Sequence, residues 1–324
     1  MKLSIAMATY NGGQFLQQQL DSFRTQTRLP DELVVCDDGS NDDTIEIVDR
    51  FAKDSLFAVR LYRNPENLGH ERNFSKAIEL CTGDVIFLSD QDDVWFPSKL
   101  AAVEEVFNRD ELVSLVINDT DITDAHLHPT GRSLFGQTKA AGVIGDKGKS
   151  LTLGCATAFR SQLRSLIAPV PALDYGHDSW IHDFAHLMDV RHVLDLKLQF
   201  YRRHGNNVSN WAFNGAARAT MRNVIQPSLG QDLRAAYEKR ITTLDVMSTR
   251  LASLGSDAYS KLGARRSYGD VLSEIQHARQ ALSRRKRMFE HGWWSRKVLA
   301  LTMWVSRDYR YFLGWKSLAK DLWR

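Results

Sequence analysis

The chain has 324 residues, 43% hydrophobic and 25% charged, and its 42 Lys and Arg against 39 Asp and Glu give a net charge of +3. This composition excludes a disordered, collagen-like or disulfide-stapled chain, and the length suffices to bury a sizeable core. The charge is unevenly placed, because residues 284–324 hold 11 Lys and Arg against 3 Asp and Glu, which leaves −5 for residues 1–283. Five of the eight Trp also lie in residues 284–324, which predicts a separate basic, aromatic tail.

The cysteines and the apolar runs indicate the cellular compartment in which the protein resides. Three cysteines without metal-ligand spacing favour a reducing compartment and buried thiols. Residues 1–12 lack the pattern of a secretion signal. The longest apolar stretch of the tail has eight residues, against about 20 for a membrane-spanning helix. We therefore expect a cytoplasmic protein, free or attached to a membrane surface.

Five short, β-prone apolar runs recur through the first 120 residues, 25 to 30 residues apart. They begin near Leu3, Leu33, Ala58, Asp84 and Val113. Helix-like stretches lie between them, and residues 15–23 place four apolar side chains on one face. This alternation predicts an α/β fold with a mostly parallel sheet covered on both sides. Beyond Asn214 few Gly or Pro occur, and the chain is predicted to be helical.

Polar residues recur where the predicted strands end. The ends read Thr9-Tyr10-Asn11, Asp37-Asp38-Gly39-Ser40, Arg63-Asn64, Asp90-Gln91-Asp92-Asp93 and Asn118-Asp119. Loops are polar in most proteins, but ligands of such sheets bind outside the carboxyl ends of the strands. Five polar clusters in register therefore predict a binding site at this edge.

The acidic turn Asp90-Gln91-Asp92-Asp93 is the sharpest chemical signal. Clustered carboxylates repel one another, and Mg²⁺ or Mn²⁺ bound together with phosphate oxygens would relieve that cost. Such a metal would neutralise a diphosphate leaving group. The alternative interpretation is a helix N-cap followed by an acidic turn, helped by Trp95 and Pro97.

The second polar cluster offers two roles. Gly39 permits a sharp turn, and residues 40–44 can cap the helix that follows. Capping needs only one or two of these side chains, so Asp37 or Asp38 is expected to be free for a base or ribose. Tyr10 is placed to stack on that base.

Four of these pieces together resemble the family-2 glycosyltransferases of the GT-A fold. They are Met7-Ala8-Thr9-Tyr10-Asn11, Asp38-Gly39-Ser40, Asn67-Leu68-Gly69 and Asp90-Gln91-Asp92-Asp93. Within that family, Ser89-Asp90-Gln91-Asp92-Asp93-Val94-Trp95 is similar to a bacterial, rhamnosyltransferase-like branch. Three later pieces support this branch: Gly154-Cys155-Ala156, His177-Asp178-Ser179-Trp180 and Tyr201-Arg202-Arg203-His204-Gly205-Asn206-Asn207.

The resemblance implies a domain organisation. It covers residues 3–210 and implies a Rossmann-like, mostly parallel mixed sheet flanked by helices, followed by a helical C-terminal region. The expected parts are a catalytic domain over 1–214, with a nucleotide-sugar half in 1–120 and an acceptor half in 121–214, then a helical region over 215–283 and the tail over 284–324.

The resemblance also implies a role for each site residue. Thr9, Tyr10 and Asp38 would hold the nucleotide with Asp37 close by, and Asp90 would approach the ribose. Asp92 would ligate Mg²⁺ or Mn²⁺ on the diphosphate, with His204 as a further candidate ligand. Asp178 would deprotonate the acceptor hydroxyl. The donor or acceptor pocket would comprise Asp93, Trp95, Gly154, Cys155, His177 and Trp180.

The implied activity is inverting transfer of L-rhamnose from dTDP-L-rhamnose to a lipid-linked bacterial surface polysaccharide precursor. The alternatives are a UDP-sugar donor, a sugar nucleotidyltransferase and a non-catalytic nucleotide-sugar binding scaffold. His182 and His186, four residues apart, raise zinc as another possibility. The missing Glu of the zinc protease motif argues instead for packing or helix capping.

The tail gives a further expectation. On one helix over residues 301–324, an apolar stripe that includes Trp304 and Trp315 opposes a basic face. The stripe is Leu301, Trp304, Tyr311, Trp315, Leu318 and Leu322, and the basic face is Arg310, Lys316, Lys320 and Arg324. This pattern predicts peripheral binding to an anionic inner membrane surface. Packing or a homo-oligomer contact is the alternative, and nucleic acid is not expected.

Overall fold

The computed structural model describes residues 1–136, 152–173, 175–205, 207, 233–312 and 314–323. The chain divides into two compact units, each described here by itself. The first is Met1–Arg218 with Leu262–Arg265, and the second is Ala219–Lys261 with Arg266–Arg324. The boundary predicted at residue 214 lies outside the described residues, as do Asn206 and Arg324.

Nine strands among the described residues form one sheet in the first unit. They are β1 (Leu3–Thr9), β2 (Glu32–Asp37), β3 (Ala58–Arg63), β4 (Val85–Ser89), β5 (Val94–Trp95), β6 (Leu115–Thr123), β7 (Pro129–Ser133), β8 (Thr157–Arg160) and β9 (Arg191–Arg202). The order is β3-β2-β1-β4-β8-β6-β9-β5, with β7 paired to β6. The neighbours β3-β2-β1-β4 are parallel, as is β6 with β9, and β8 runs antiparallel to both β4 and β6. The predicted α/β class with a mostly parallel sheet is confirmed.

Helices cover this sheet. They are α1 (Gly13–Arg24), α2 (Thr44–Lys53), α3 (His70–Leu80), α4 (Lys99–Arg109), α5 (Arg164–Ile167) and α6 (His177–Leu187). The predicted apolar face of α1 is confirmed, since Leu16, Leu20 and Phe23 are fully buried against β1 and β2 residues of the core. Removing these side chains from water is what holds the helix on the sheet.

One predicted strand end is wrong. Asn118 and Asp119 lie inside β6, and both are buried. The pairing of β6 with β9 changes register at these residues, and Asp119 accepts hydrogen bonds from the backbone N–H groups of Thr120 and Phe135. The side chains of Asn118 and Asp119 therefore form hydrogen bonds with backbone groups in and beside the sheet. Four of the five polar clusters remain at strand ends.

The second unit is helical, as predicted. Its helices are α7 (Leu233–Ser260), α8 (Tyr268–Met288), α9 (Trp293–Val305) and α10 (Trp315–Trp323). The hydroxyl of Ser267 caps α8 by accepting from the backbone N–H of Asp270. Gly255, at φ 77°, interrupts α7. None of the described helices is both long enough and apolar enough to cross a bilayer.

The expectation of one helix over residues 301–324 is wrong. The chain leaves α9 after Val305, makes a 3₁₀ turn over Asp308–Tyr311 and begins α10 at Trp315. Arg307 at φ 60° and Gly314 at φ 56° are left-handed, a conformation that a right-handed helix does not contain.

Ion pairs join two consecutive arginines at the end of α8 to the C-terminal residues. The Arg284 guanidinium contacts Asp308 at 2.8 Å, and the buried Arg285 contacts Asp321 at 2.9 Å. Tyr309 donates its hydroxyl proton to the same Asp321 at 2.9 Å. Among the other predicted tail residues, Lys320 is partly buried, Trp304 and Trp315 are exposed, and Arg310 lies 3.6 Å from Glu274. Of the predicted basic face, Arg310 and Lys316 are therefore exposed and Lys320 is partly buried, whereas Arg285, outside that face, belongs to the interior of this unit.

Candidate functional site

The ends of β1 and β4 are fastened to each other. The backbone N–H of Tyr10 donates to the Gln91 side-chain oxygen at 2.9 Å, and the Gln91 amide donates back to the Tyr10 carbonyl at 3.1 Å. A Cβ on Gly12 would lie 2.3 Å from the same Gln91 oxygen, so a larger residue there would displace the Gln91 side chain. The Tyr10 ring remains 49% exposed. This geometry leaves an aromatic face available at the edge of the sheet.

The carboxylate of Asp37 is occupied by the protein. It accepts from the Thr9 hydroxyl, from the backbone N–H groups of Gly39 and Ser40, and from the Ser40 hydroxyl. A carboxylate accepts about four hydrogen bonds. Of the two aspartates of which one was expected to be free for a base or ribose, Asp37 is the one that shapes the turn after β2, and it also binds the Thr9 hydroxyl.

Asp38 retains room for one more donor. Its carboxylate accepts from the Asn64 side-chain amide and from the backbone N–H groups of Leu68 and Gly69, each at 2.8 Å. Gly69 has φ 82°, the left-handed conformation that glycine adopts readily. Asp38 thus joins the ends of β2 and β3 to the start of α3, and it has one acceptor position left although only 3% of the residue is exposed.

The acidic turn combines partly and fully buried carboxylates. Asp90 and Asp92 are partly buried, whereas Asp93 is completely buried and accepts from the Gln199 amide at 2.9 Å and the Arg202 backbone N–H at 3.1 Å. Burial, together with the nearby charges of Asp92 and Asp93, raises the pKa of Asp90 well above its ordinary value. Burial and the charge of Asp92 raise the pKa of Asp93 to about 7.

Arg202 holds the backbone of this turn. Its buried guanidinium donates to the Asp92 carbonyl at 2.7 Å, to the Ala125 carbonyl at 2.6 Å and to the Gln18 side chain. It also lies 4.4 Å from the centre of the Phe15 ring. Strand β9, helix α1 and the turn after β4 are joined at this one side chain. Sequence reasoning quoted Arg202 within a motif but assigned it no role.

A buried lysine lies beneath the acidic turn. Lys99 is 1% exposed, and its ammonium group donates to the Cys155 carbonyl at 2.9 Å and to the Gln199 side-chain oxygen. It also lies 3.9 Å from the centre of the Trp95 ring. Burial lowers the pKa of Lys99 to about 7. Sequence reasoning missed this residue, although a lysine in the first turn of a helix, where cations are disfavoured, was a usable signal.

Two groups in this region have metal-ligand chemistry. Ligand atoms of Asp90, Asp93 and Cys155 all lie within 4.8 Å of one another. Asp93 and Cys155 are completely buried, and burial raises the pKa of the Cys155 thiol well above its ordinary value. A protonated thiol is a poor ligand for Mg²⁺ or Mn²⁺, which prefer oxygen. This group therefore does not suit a hard cation on a diphosphate.

The second group is Asp92 with His204. An Asp92 carboxylate oxygen lies 2.8 Å from the His204 Nε2 atom, and the Asn207 amide lies 3.2 Å from the same oxygen. Two ligand atoms of an octahedral ion at about 2.1 Å lie about 3 Å apart. The two side chains are hydrogen-bonded here, and the separation of these two atoms is also close to that of two ligands on one divalent cation. The Phe15 ring, 4.7 Å from the imidazole, packs against His204.

Asp178 lies in the first turn of α6. Its carboxylate accepts from the Ser179 backbone N–H at 2.7 Å. Burial raises the pKa of Asp178, and the negative charge of Glu71 adds to the rise. Glu71 itself is held by the backbone N–H of Gly176 at 2.7 Å. The residue as a whole is partly buried, and a carboxylate with a raised pKa is suited to receive a proton.

The predicted pocket residues lie below the surface. All six are buried: Asp93, Trp95, Gly154, Cys155, His177 and Trp180. Trp180 donates its indole N–H to the Ile167 carbonyl at 2.9 Å. These residues expose little surface to a ligand, and the donor or acceptor pocket that they were expected to line stays a prediction. They support the site from beneath.

Of the two α6 histidines considered for zinc, His182 packs inside the unit and His186 is partly buried. The His182 Nε2 atom lies 2.8 Å from the Thr157 hydroxyl, and the side chain is 1% exposed. Among the residues that the structure describes, His182 and His186 do not form a three-ligand group. The contact to Thr157 supports packing, the interpretation favoured over zinc.

We expect Gly154→Ala to lower the free energy of unfolding by about 1–3 kcal/mol. The new Cβ would lie 2.7 Å from the His177 Nε2 atom. The imidazole cannot yield, because it stacks on Phe74 at a centroid distance of 4.3 Å. Urea denaturation measures the change. Gly269→Ala, where a Cβ meets nothing within 4 Å, is the control and should cost nothing; equal stability of the two variants would contradict the prediction.

Comparisons with known proteins give three informative relatives. An uncharacterized glycosyltransferase of Nostoc sp. (strain PCC 7120) is 26% identical over 217 residues, which cover 64% of this chain and 66% of that protein. The dTDP-rhamnosyl transferase RfbG of Shigella flexneri is 24% identical over 62% of this chain and 72% of its own length. The abequosyltransferase RfbV of Salmonella typhimurium is 30% identical over 106 residues, 32% of each chain. The chain thus spans less than two thirds of the Nostoc protein and about a third of RfbV.

Solved structures of S. aureus TarS share the fold. Its 1–349 fragment has a TM-score of 0.58 at 12% identity, covering 99% of this chain and 89% of that one. The same fragment in complex with UDP-GlcNAc gives 0.57 at 16% identity, covering 86% and 72%. The likeness shows the fold alone, which is the expected GT-A fold.

The family model described as "Glycosyl transferase family 2" matches residues 4–166 of this chain. The matched region is half of the chain and runs from β1 to α5, so it includes the strand ends that carry Tyr10, Asp38 and the acidic turn. The chain belongs to glycosyl transferase family 2.

Proposed function

We propose that this chain is an inverting, metal-dependent glycosyltransferase that uses a nucleoside diphosphate sugar. The observation that carries the proposal is the edge formed by β1, β2 and β4, where an exposed Tyr10, an Asp38 with one open acceptor position and the acidic turn lie on neighbouring strands. Tyr10 stacks on the base, Asp38 accepts from the base or ribose, and Asp90 approaches the ribose hydroxyls.

Asp92 and His204 would hold Mg²⁺ or Mn²⁺ on the donor diphosphate. The 2.8 Å distance between the Asp92 carboxylate oxygen and the His204 Nε2 atom supports this assignment. The hydrogen bond from the Arg202 guanidinium to the Asp92 carbonyl supports it too, because it fixes the backbone of the turn. The metal, when bound, neutralises the charge that develops on the leaving diphosphate. Arg202 keeps the turn in place so that the carboxylate does not have to be ordered at the moment of reaction.

Asp178 acts as the general base. It accepts the proton of the acceptor hydroxyl while that oxygen attacks the anomeric carbon from the face opposite the diphosphate, which inverts the configuration. The raised pKa of Asp178 makes it a stronger base than an ordinary aspartate once it is ionised. The start of α6 and the Ser179 N–H hold the carboxylate in one orientation.

The proposal also names a donor and an acceptor. L-rhamnose from dTDP-L-rhamnose is supported by the likeness to RfbG, a dTDP-rhamnosyl transferase, and a lipid-linked surface polysaccharide precursor by the O-antigen chain rhamnosyltransferase RfbN, 34% identical over 28% of this chain. A UDP-sugar is the second candidate donor, since the TarS fragment with the same fold was solved with UDP-GlcNAc.

A thermal-shift panel of nucleotide sugars tests the proposal. With Mn²⁺ present, we expect dTDP-L-rhamnose to raise the Tm more than UDP-sugars do, and acceptor-dependent release of nucleoside diphosphate to follow. Asp92→Asn should weaken the Mn²⁺-dependent part of binding at least about tenfold. Asp54→Asn, an exposed acid outside the site, is the matched control. Undiminished transfer in EDTA would contradict the metal role, and release of pyrophosphate from a nucleoside triphosphate would indicate a nucleotidyltransferase instead.

A further inference from the structure

Helix α9 presents an apolar stripe to solvent. Trp294, Val298, Leu301 and Val305 follow one another at spacings of four, three and four residues, which places them along one helix face. They are 75%, 65%, 53% and 82% exposed. The opposite face is buried, where Ala300 packs with Met288 and Tyr309. A row of large exposed apolar side chains of this kind marks an interaction surface.

Tryptophans extend this surface. Trp293 is 48% exposed and carries the Lys297 ammonium group 3.6 Å from its ring centre. Trp304, Trp315 and Trp323 are 46%, 63% and 89% exposed. Indole rings, with an apolar body and a polar N–H, are enriched where lipid tails meet water.

Residues 284–324 expose more cations than acids, because two of their three acids are buried. Residues 284–324 contain three acids, and two of them, Asp308 and Asp321, are buried in ion pairs with Arg284 and Arg285. Helix α9 itself contains no Asp or Glu. Four described cations of the same segment are exposed, namely Arg287, Arg307, Arg310 and Lys316, against one exposed acid, Glu290. Positive charge beside an apolar stripe is complementary to an anionic lipid surface.

We propose that α9 docks this protein on an anionic phospholipid bilayer. Trp294, Val298, Leu301 and Val305 enter the boundary between headgroups and acyl chains, and the neighbouring cations contact the headgroups. This surface differs from the stripe predicted over residues 301–324, because Leu318 and Leu322 pack against the core of the unit. The proposal goes beyond the transferase activity and does not depend on the identity of the donor.

Flotation of the full chain with lipid vesicles tests the docking. We expect recovery with phosphatidylcholine vesicles that contain phosphatidylglycerol, less recovery with phosphatidylcholine alone, and weaker binding in high salt. Val298→Ser combined with Leu301→Ser should weaken partitioning at least about tenfold, through the apolar area lost. Both side chains are exposed, so the fold should be unaffected, and circular dichroism verifies this. Leu56→Ser, an equally exposed apolar residue of the first unit, should float like the unaltered protein.

Two results would overturn the proposal. One is flotation of the double variant equal to that of the unaltered protein, and the other is no preference for phosphatidylglycerol vesicles. Analytical ultracentrifugation can give a third such result, in which the unaltered chain forms a dimer, the double variant does not, and neither protein floats. In that case α9 is a contact between copies of this chain. Lys297→Glu provides an independent arm and should reduce binding to phosphatidylglycerol vesicles more than binding to neutral ones.

Discussion

Asp178→Asn is expected to lower kcat/KM for sugar transfer by about 10²–10⁴-fold. Asparagine keeps the size of the side chain, and its carbonyl oxygen can still accept from the Ser179 N–H, so helix α6 should begin as before. The amide cannot take the proton of the acceptor hydroxyl, which is the step assigned to this residue. Initial rates of nucleoside diphosphate release, at several donor and acceptor concentrations, measure the loss.

Asp183→Asn is the matched control on the same helix. Asp183 accepts from the Tyr175 hydroxyl at 2.7 Å, and an asparagine oxygen preserves that contact, so transfer should change little. Turnover of Asp178→Asn equal to that of the unaltered enzyme would show that another group is the base.

The pH profile of the unaltered enzyme adds a second readout for Asp178. A base acts in its ionised form, and burial raises the pKa of Asp178. Activity should therefore fall with decreasing pH at a higher pH than an ordinary aspartate would give.

Lys99→Met is expected to lower the free energy of unfolding by about 3 kcal/mol. Methionine fills nearly the same volume but leaves the Cys155 carbonyl and the Gln199 oxygen without their donor. Asp93 also loses the positive charge that lowers its pKa, while it remains completely buried. Urea denaturation followed by circular dichroism measures the change.

An exposed lysine provides the comparison. Lys53→Met, at the end of α2, should change the free energy of unfolding by less than about 0.5 kcal/mol. A double-mutant cycle with Asp93→Asn then isolates the coupling between Lys99 and Asp93, which should be at least about 1 kcal/mol. A loss for Lys99→Met no larger than that for Lys53→Met would contradict the structural role of the buried ammonium group.

The sheet could be predicted from the sequence because its signals are local. Each of the first four strands is a short apolar run that the structure buries or half-buries, and the starts predicted near Leu3, Leu33, Ala58 and Asp84 agree with β1 to β4. The acidic and polar strand ends followed from the same runs. The local pattern did not predict that Asn118 and Asp119 lie inside β6, because their position depends on a register shift in the pairing of β6 with β9.

The support of the site could not be predicted, because it depends on long-range contacts. Gln199 reaches Asp93 across 106 residues of sequence, and the Arg202 side chain reaches Gln18 across 184. Neither partner can be chosen without knowing that β9 pairs with both β5 and β6. In the tail, Asp308 interrupts the apolar stripe when it is placed on a helix, yet it is the ion-pair partner of Arg284.

The ion pairs of the helical unit determine where this protein can be shortened. A version ending at residue 283 would cut α8 five residues early and discard Arg284 and Arg285 with their partners. A version ending at residue 305 would keep both arginines but remove Asp308 and Asp321, leaving the buried Arg285 without a counter-charge. Loss of function after either deletion would report misfolding as readily as a missing lipid contact. Expression of the intact chain with point changes on α9 is therefore the sound route to its physiology.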